Sequence, residues 1–329
     1  MQQGLKKAIR SIPAEMYVLV LLFIGAMILY DSFFTFTNIS NILRQSSVLG
    51  LVSIGMTVVI IAGSIDLSIG MMLGFSGAIA IKMADNLLMA MVVTLLASVV
   101  IGLVNGLLIS RLKLPPMITT ISMNFLLRGV IFILNGPSAV SVSGKAASFK
   151  ILGQGYLFGI PVPILIYILV TLLIGIVMKR TIFGRHLYAV GGNADSAAMM
   201  GVKNDQVLLS AHVLCSVLVG FAGIILTSRL GAFTPLQGEN FETRAITAAV
   251  ISGTLLSGGV GKVWGTFTGA LILGLISNIF NLQGNILNGW QFIINGALML
   301  FVVIIQSAEL RRLLEIAARK VKGTDTSRN

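Results

Sequence analysis

Charged residues are scarce in this chain. Of its 329 residues only 10% are Asp, Glu, Lys or Arg, whereas 56% are apolar, and the mean hydropathy is +0.97. An average soluble domain is about 25% charged and about 45–50% apolar. A soluble protein of this length could not cover its surface with so few charges. The composition therefore excludes a globular enzyme, a disordered chain and a disulfide scaffold, and it predicts a polytopic membrane protein.

The residue types that carry most enzyme chemistry are also few. A single cysteine, Cys215, excludes an internal disulfide, and two histidines with eleven acidic residues leave little for metal or acid–base chemistry. His212 and Cys215 fall within one apolar run, where a hydrogen-bonded packing histidine and a small apolar thiol are the favoured interpretation. No Ser/His/Asp or zinc pattern is apparent in the sequence. We therefore expect no metal site, no catalytic residues and no enzymatic activity in this chain.

Long apolar runs are what the sequence has in abundance. A transmembrane helix needs about 20 mostly apolar residues. Ten segments approach this length, and the second and third are separated by a glycine-rich hinge at 63–66. The sequence predicts an all-α polytopic membrane protein of about ten transmembrane helices with short loops, at residues 16–30, 47–62, 67–81, 87–110, 115–135, 161–178, 206–228, 243–257, 263–280 and 290–306.

The positive charges predict the orientation of these spans. With ten spans both termini lie on one side, which carries 16 of the 23 Lys and Arg residues, while the other side carries six and Arg128 falls within a span. Cytoplasmic loops retain Lys and Arg, so both termini are predicted to be cytoplasmic. The expected organisation is a cytoplasmic segment 1–15, a transmembrane domain 16–306 and a cytoplasmic tail 307–329. We therefore attribute the net charge of +12 to the orientation of the chain in membrane lipid, and we expect no nucleic-acid partner.

The sequence contains no evident energy source. Gly258-Gly-Val-Gly-Lys262 approaches a phosphate loop, but Leu256 replaces its first glycine and Val263 replaces the Ser or Thr that would hold magnesium. Ion-coupled carriers usually bury several carboxylates at membrane depth, and Asp66 is the only serious candidate here. The chain is therefore either a passive pore or the membrane part of a multi-subunit machine, and we expect no cofactor in it.

One polar segment, residues 179–205, can decide between these alternatives. Asn193 is a good helix N-cap, Asp195 suits a first helical turn, and Gly201 suits the position after a helix end. The pattern predicts a short helix over Ala194–Met200 outside the membrane. Taken alone, it could equally be an ordinary connector helix.

The same segment resembles a known family. Thr181-x-x-Gly184-Arg185-x-x-x-Ala189-x-Gly191-Gly192-Asn193-x-x-Ala197-Ala198-x-x-Gly201-Val202 is similar to the coupling-loop signature of the ribose-type sugar permeases, the membrane subunits of bacterial ABC importers. The resemblance covers roughly residues 38–305 and includes Gly63-Ser-Ile-Asp-Leu-Ser-Ile-Gly70, Asn105-Gly106 and Leu126-Leu-Arg-Gly129.

The chain also departs from the family pattern. Many relatives have an acidic and apolar run before the eighth span, where this chain reads Glu239-Asn-Phe-Glu-Thr-Arg-Ala-Ile-Thr-Ala-Ala249, with Arg244 as an added charge. Ser252 also stands where glycine is common. These differences concern the substrate and the binding protein, not the class.

The resemblance implies a set of partners and a location. Two permease subunits, identical or paralogous, would form the pathway for a small sugar in the bacterial inner membrane. A separate ABC ATPase would bind ATP and magnesium, and a periplasmic or lipid-anchored binding protein would deliver the sugar. The implied ATPase-coupling residues are Gly184, Arg185, Gly191, Gly192, Asn193, Ala197, Ala198 and Gly201.

Three further groups of residues are candidate sites, each with a plainer alternative. Gly63, Asp66 and Gly70 would form a hinge, in which Asp66 either caps the third span or supplies a functional charge. A polar face of the fifth span would line the translocation path, unless its arginine snorkels or pairs across a dimer interface; it comprises Thr120, Asn124 and Arg128. A charged cluster before the eighth span would dock the binding protein or form a solvated rim; it comprises Glu239, Glu242 and Arg244.

Glycine spacing adds two expectations. Gly70-x-x-x-Gly74, Gly102-x-x-x-Gly106 and Gly265-x-x-x-Gly269 predict close helix packing. The spacing Gly63/Gly70/Gly74 recurs as Gly258/Gly265/Gly269, which hints at a repeat of hinge plus span.

Other functions remain open at this point. A branched-chain amino-acid-type ABC permease subunit is the nearest alternative, although the Gly184–Val202 pattern argues against it. A stand-alone channel or ion-coupled carrier is the alternative from a different class.

Overall fold

The computed structural model describes residues 13–142, 146–284 and 289–306, in which almost all regular structure is helical. Most of the predicted segment 1–15 and all of the predicted tail 307–329 lie outside the described residues. The helices are α1 Ala14–Leu29, α2 Phe36–Ile61, α3 Ile69–Lys82, α4 Leu87–Ser110, α5 Pro116–Asn135, α6 Ala147–Gln154, α7 Val162–Arg180, α8 Ile182–Gly192, α9 Ala194–Met199, α10 Asn204–Leu230, α11 Phe241–Ile251, α12 Val263–Gln283 and α13 Gly289–Gln306. Four two-residue strands form two antiparallel pairs: β1 Val140–Ser141 with β4 Ala232–Phe233, and β2 Tyr156–Leu157 with β3 Ile160–Pro161.

The described helices confirm an all-α polytopic membrane protein. Six of them, α2, α4, α5, α7, α10 and α12, are long and apolar enough to cross a membrane, and α1, α3 and α13 contain shorter apolar stretches. A helix coincides with each of the ten predicted spans. However, α3 and α11 have only 14 and 11 residues, so they extend about 21 and 16 Å across a hydrocarbon core of about 30 Å. Ten complete crossings and the side of the termini stay predictions.

Burial separates central helices from peripheral ones. The most apolar window of α2 is 89% buried, and those of α12 and α10 are 67% and 61% buried, whereas those of α4, α5 and α7 are only 22–33% buried. Large apolar side chains on the peripheral helices are exposed, among them Leu96, Phe125 and Ile133. An apolar exposed surface of this kind faces lipid or another subunit. The helix α13 belongs to a separate compact unit, Leu287–Asn329.

Glycines allow the central helices to approach closely, as their spacing predicts. A Cβ atom added to Gly102 of α4 would lie 2.8 Å from the Cα atom of Val213 in α10, and one added to Gly106 would lie 3.0 Å from the Cα atom of Leu209. Gly265 and Gly269 of α12 face α11 in the same way. The predicted packing role is confirmed for the spacings Gly102/Gly106 and Gly265/Gly269, whereas Gly70 approaches the Gly238 carbonyl in the loop before α11.

Polar side chains join α2 to α12 inside the apolar core. The Thr57 and Thr266 hydroxyls are 2.7 Å apart, and the amide groups of Asn38 and Asn278 exchange two hydrogen bonds of 3.2 and 2.7 Å. Such bonds satisfy buried polar groups that would otherwise destabilise the fold.

Two helices were not predicted. The helix α6 lies in the Gly- and Ser-rich stretch 136–160, and α8 lies in the polar segment 179–205. Leu187 and Val190 of α8 are buried on one face while Arg185 on the other is exposed. This amphipathic pattern covers only three turns, so tertiary packing rather than local signal stabilises the helix.

Candidate functional site

The predicted short helix of the coupling segment (residues 179–205) forms as α9. Asn193 is its N-cap, and the Asn193 side chain accepts a hydrogen bond of 2.8 Å from the Ser196 amide. Gly201 adopts a φ of +82°, and the amides of Gly201 and Val202 donate to the carbonyls of Ala198 and Ala197. This is a Schellman ending with glycine in the left-handed conformation. Both cap predictions are confirmed, and the helix ends at Met199 instead of Met200.

The helix α8 anchors α9 to the membrane domain. Thr181 is the N-cap of α8, and its hydroxyl accepts a hydrogen bond of 3.2 Å from the Gly184 amide. Gly184 is buried so close to Met178 that an added Cβ atom would lie 2.7 Å from the Met178 Cα atom. Glycine at 184 therefore permits the tight turn from α7 into α8.

The outer face of α9 is accessible and carries a single charge, because Asp195 in its first turn is exposed. Ala197 is buried against the segment, whereas Ala198 is exposed and Met199 and Met200 are 88% and 76% exposed. Flexible exposed methionines suit a surface that adapts to a protein partner. A cavity of about 390 Å³ lies beside this face, and its lining includes Arg111, Lys113, Ala198, Lys203 and Asp205.

Three glycine-rich segments meet at the C-terminal end of α8, and we call this contact the glycine junction. It joins Gly191 and Gly192 to the turn after α2, at Gly63, and to the turn after α11, at Gly258 and Gly259. The Gly259 amide donates a hydrogen bond of 3.0 Å to the Ile61 carbonyl. Gly63, Gly258 and Gly259 have φ values of +81°, +88° and +72°, a conformation that favours glycine.

Space at the junction admits only glycine at several positions. A Cβ atom added to Gly191 would overlap the carbonyl oxygen of Ile61, and one added to Gly258 would lie 2.9 Å from the Cα atom of Gly63. The two segments of the suggested hinge repeat, at Gly63 and Gly258, are therefore in direct contact. Sequence spacing suggested the repeat but gave no sign that its two turns touch each other.

A tyrosine reinforces the junction. The Tyr188 hydroxyl of α8 donates a hydrogen bond of 2.9 Å to the carbonyl of Gly261 in the turn before α12. Partial burial raises the pKa of Tyr188 above its ordinary value, so the hydroxyl keeps its proton and remains a donor. The coupling segment is thus connected by hydrogen bonds or close contact to both glycine-rich turns.

Asp66, in the predicted hinge, is completely buried and contacts two other residues, Ser68 and His212. Its Oδ1 atom accepts hydrogen bonds of 2.9 and 2.5 Å from the amide and hydroxyl of Ser68, and its Oδ2 atom lies 3.2 Å from Nδ1 of His212. The prediction that Asp66 caps the third span is wrong, because Ser68 occupies the N-cap position and Asp66 accepts hydrogen bonds from it from two residues earlier. The alternative, a functional charge at Asp66, stays a prediction.

His212 completes an arrangement that the sequence did not show. Its Nε2 atom lies 3.0 Å from the hydroxyl of Ser64, so Ser64, His212 and Asp66 form a hydrogen-bonded row. The interpretation of His212 as a buried, hydrogen-bonded histidine is confirmed. The sequence gave no Ser/His/Asp pattern, but the fold creates this order of groups. Ser64 is 4% exposed and the other two are 0% exposed, so the row is inaccessible to a substrate and its role is structural.

Two residues predicted to line the translocation path form hydrogen bonds to the hinge instead of facing open space. The Thr120 hydroxyl accepts a hydrogen bond of 3.0 Å from the Leu67 amide, and the Asn124 amide donates one of 2.9 Å to the Leu67 carbonyl. Thr120 is fully buried. Arg128 lies farther along α5, with Nη1 4.0 Å from Oε1 of Glu239. Both groups are about half exposed, so this ion pair contributes little stability. The pathway assignment stays a prediction.

The predicted docking residues occupy different environments. Glu239 is exposed, whereas Glu242 and Arg244 are partly buried. The Glu242 carboxylate fills the space beside Gly70, because an added Cβ atom there would overlap its Oε2 atom. Arg244 donates to the Ser277 hydroxyl at 3.2 Å and lies over the Phe241 ring at 5.3 Å. Only Glu239 is freely available to a partner protein, and docking at this cluster stays a prediction.

Comparisons with known proteins identify close relatives of the whole chain. A family profile described as "Branched-chain amino acid transport system / permease component" matches residues 38–303. The ribose import permease protein of Bacillus subtilis strain 168 is 37% identical over 87% of this chain and 90% of its own length. The D-allose transport system permease protein of Escherichia coli K12 is 35% identical over 83% of this chain and 84% of its own. The xylose transport system permease protein of the same strain is 30% identical over 92% and 94%.

The comparison with solved structures gives no significant match. The family description and the individual relatives name different cargo, amino acids in one case and sugars in the other. The relatives match nearly their full lengths and include the coupling segment, so they describe this chain more specifically than the broad profile does. On both comparisons, the chain belongs to this family of transport-system permease components.

Proposed function

We propose that the chain is the membrane-spanning permease subunit of a bacterial ABC importer for a small sugar. The coupling segment carries the proposal: α9 presents an accessible face of small residues and methionines with a single charge, Asp195, and α8 connects it to the glycine junction between two turns of the membrane domain. Relatives that are named ribose, D-allose and xylose permeases, and that match over 84–94% of their own lengths, support the sugar class over a branched-chain amino acid.

The proposal assigns the energy source to partners. ATP and magnesium would bind an ABC ATPase, which would seat α9 in a cleft on the cytoplasmic side. Movement of α9 would pass through Gly191 and Tyr188 to the turns at Gly63 and Gly261, where it would shift α3 and α12. A periplasmic or lipid-anchored protein would deliver the sugar to the opposite side of the inner membrane.

The exposed apolar faces of α4, α5 and α7 leave room for a second permease subunit. A second copy or a paralogue would pair with this chain and complete the pathway. The transported solute would then pass between or beside the subunits, and the chain itself would need only a transiently open polar route. High affinity for the sugar would reside in the binding protein.

Substitution of Ala198 tests the coupling contact. In proteoliposomes containing the assembled importer, Ala198→Arg places a bulky cation on the exposed face of α9. We expect ATP hydrolysis stimulated by the loaded binding protein to fall at least about tenfold, because a misfit of about 1.4 kcal/mol changes an equilibrium constant tenfold, and uptake to fall with it.

The matched control is Ala139→Arg, which adds the same group at an exposed position outside the coupling segment. We expect this variant to retain both activities. If transport and stimulated hydrolysis both survive Ala198→Arg, the coupling contact lies elsewhere. Uptake by the chain alone, without the ATPase or binding protein, would favour a stand-alone channel or carrier.

A further inference from the structure

A polar cavity of about 240 Å³ lies where α2, α10 and α11 meet. Arg229, in the last turn of α10, lines it, so the cavity is at the opposite end of that helix from the coupling segment. The other polar lining residues are Gln45 of α2, Thr234 and Gln237 before α11, and Arg244 of α11, with the ring of Phe241 beside them.

Three arginines converge on this cavity. Arg229 and Arg244 line it, and Arg44 is close enough that its charge and that of Arg244 both act on the Arg229 guanidinium. The Nε atoms of all three are buried and have no hydrogen-bond partner. Within the residues that the structure describes, the salt bridges join Lys113 to Asp205, Arg128 to Glu239 and His212 to Asp66, so none of them neutralises an arginine of this cluster.

Neighbouring groups hold Arg44 and Arg244 in place without neutralising their positive charges. Arg44 donates to the carbonyl of Gln154 and lies 4.5 Å from the centre of the Tyr156 ring. Arg244 is held by the Ser277 hydroxyl and the Phe241 ring. Carbonyl, hydroxyl and aromatic partners orient a guanidinium but leave its positive charge.

Such a cluster is costly unless an anion completes it. Like charges repel, and partial burial without a counter-ion disfavours each charged guanidinium further, because it removes stabilising water. Arginine binds carboxylate and phosphate groups through two parallel hydrogen bonds, with well-defined geometry. Gln45, Gln237 and Thr234 can bind hydroxyl groups in the same cavity, and Phe241 offers an apolar ring. The combination fits a small polyhydroxylated anion.

We propose that this cavity binds a monosaccharide that carries a carboxylate or phosphate group, and that it adds a preference for such acidic sugars over neutral ones to the affinity supplied by the binding protein. The inference rests on the proposed function of the chain as a sugar permease. A protein's acidic surface fits less well, because the Nε atoms lie buried at the wall of a concave site.

Uptake of matched sugars tests the selectivity. The assembled importer in proteoliposomes is given radiolabelled glucuronate, glucose 6-phosphate or glucose, with and without the ATPase subunit. Glucuronate and glucose 6-phosphate separate the carboxylate from the phosphate, and glucose is the neutral comparison. We expect ATP-dependent uptake of at least one acidic sugar to exceed that of glucose about tenfold, as a single hydrogen bond to a charged group allows.

Variants of the cavity arginines test whether the preference for acidic sugars depends on the cavity. We expect Arg229→Gln and Arg244→Gln each to lower acidic-sugar uptake about tenfold and to change glucose uptake less than about twofold. Lys82→Gln removes an exposed positive charge at the end of α3, away from the cavity, and should leave the preference intact.

Two results would overturn the inference. In one, glucose is taken up as well as or better than both acidic sugars. In the other, the arginine variants slow all three sugars equally and weaken capture of the binding protein, which would assign the cluster to docking. Solute movement that needs no ATPase would instead contradict the proposed function, while the ratio of acidic to neutral uptake would still report on the cavity.

Discussion

Asp66 shows how much one residue contributes to this fold. Its carboxylate receives hydrogen bonds from Ser68 at the start of α3 and contacts His212 in the interior of α10. Buried polar groups in such a network depend on one another, because removing one leaves another without a partner. Asp66 therefore connects the hinge after α2 to α3 and α10.

We expect Asp66→Asn and His212→Asn to be strongly coupled. Each single change should destabilise the protein by about 1–3 kcal/mol, because it leaves a buried group unsatisfied, and the double variant should cost less than the sum of the two. Thermal unfolding of the detergent-solubilised chain measures all three. His186→Asn, at the only other histidine, serves as the control. Additive effects of Asp66→Asn and His212→Asn would show that the contact carries no energy of its own.

Single residues also show which features of the fold could be predicted from the sequence. Asn193 and Gly201 were correctly assigned as helix caps because the groups they bind lie within four residues along the chain. The row of Ser64, His212 and Asp66 was not found, because His212 lies 146 residues from Asp66 and only the packing of α10 against the hinge brings them together. The arginine cluster of α2, α10 and α11 is non-local in the same way.

At the scale of elements, the positions of the helices were predicted better than their lengths. Apolar runs locate ten helices, but an apolar run does not tell a full crossing from a half-length helix followed by a buried turn. In α3 and α11 the backbone stops short, and the adjoining turns are packed against each other and against α8. Irregular backbone in a membrane protein needs partners for its polar groups, and at the glycine junction the Gly259 amide donates to the Ile61 carbonyl.

Adjacent glycines in α8 test the junction. A Cβ atom at Gly191 would overlap the Ile61 carbonyl, whereas one at Gly192 would meet nothing within 4 Å. We therefore expect Gly191→Ala to destabilise the chain by about 1–3 kcal/mol through overpacking. Gly192→Ala should leave the unfolding temperature nearly unchanged. Thermal unfolding of both variants compares them directly, and equal effects would contradict the close contact at Gly191.

At the scale of the whole molecule, the scarce charges are distributed unevenly. The predicted cytoplasmic side carries 16 of the 23 Lys and Arg residues, although nine of those lie in the terminal segments 1–15 and 307–329. Two cations of the predicted opposite side, Arg229 and Arg244, line one cavity, and Arg44 lies near them. Charge on that side therefore has a local purpose as well as a topological one, and the orientation needs a test that does not depend on counting charges.

The single cysteine makes such a test direct. Cys215 is fully buried, so the unmodified chain should not react with a membrane-impermeant maleimide. We expect Asp85→Cys, in the exposed turn between α3 and α4, to be labelled in intact cells, because the predicted orientation places that turn outside. Met199→Cys, 88% exposed on α9, should be labelled only after the membrane is opened. The reverse labelling pattern would show that the chain has the opposite orientation. In that orientation α9 would lie outside the cell, where the proposed cytoplasmic ATPase could not bind it.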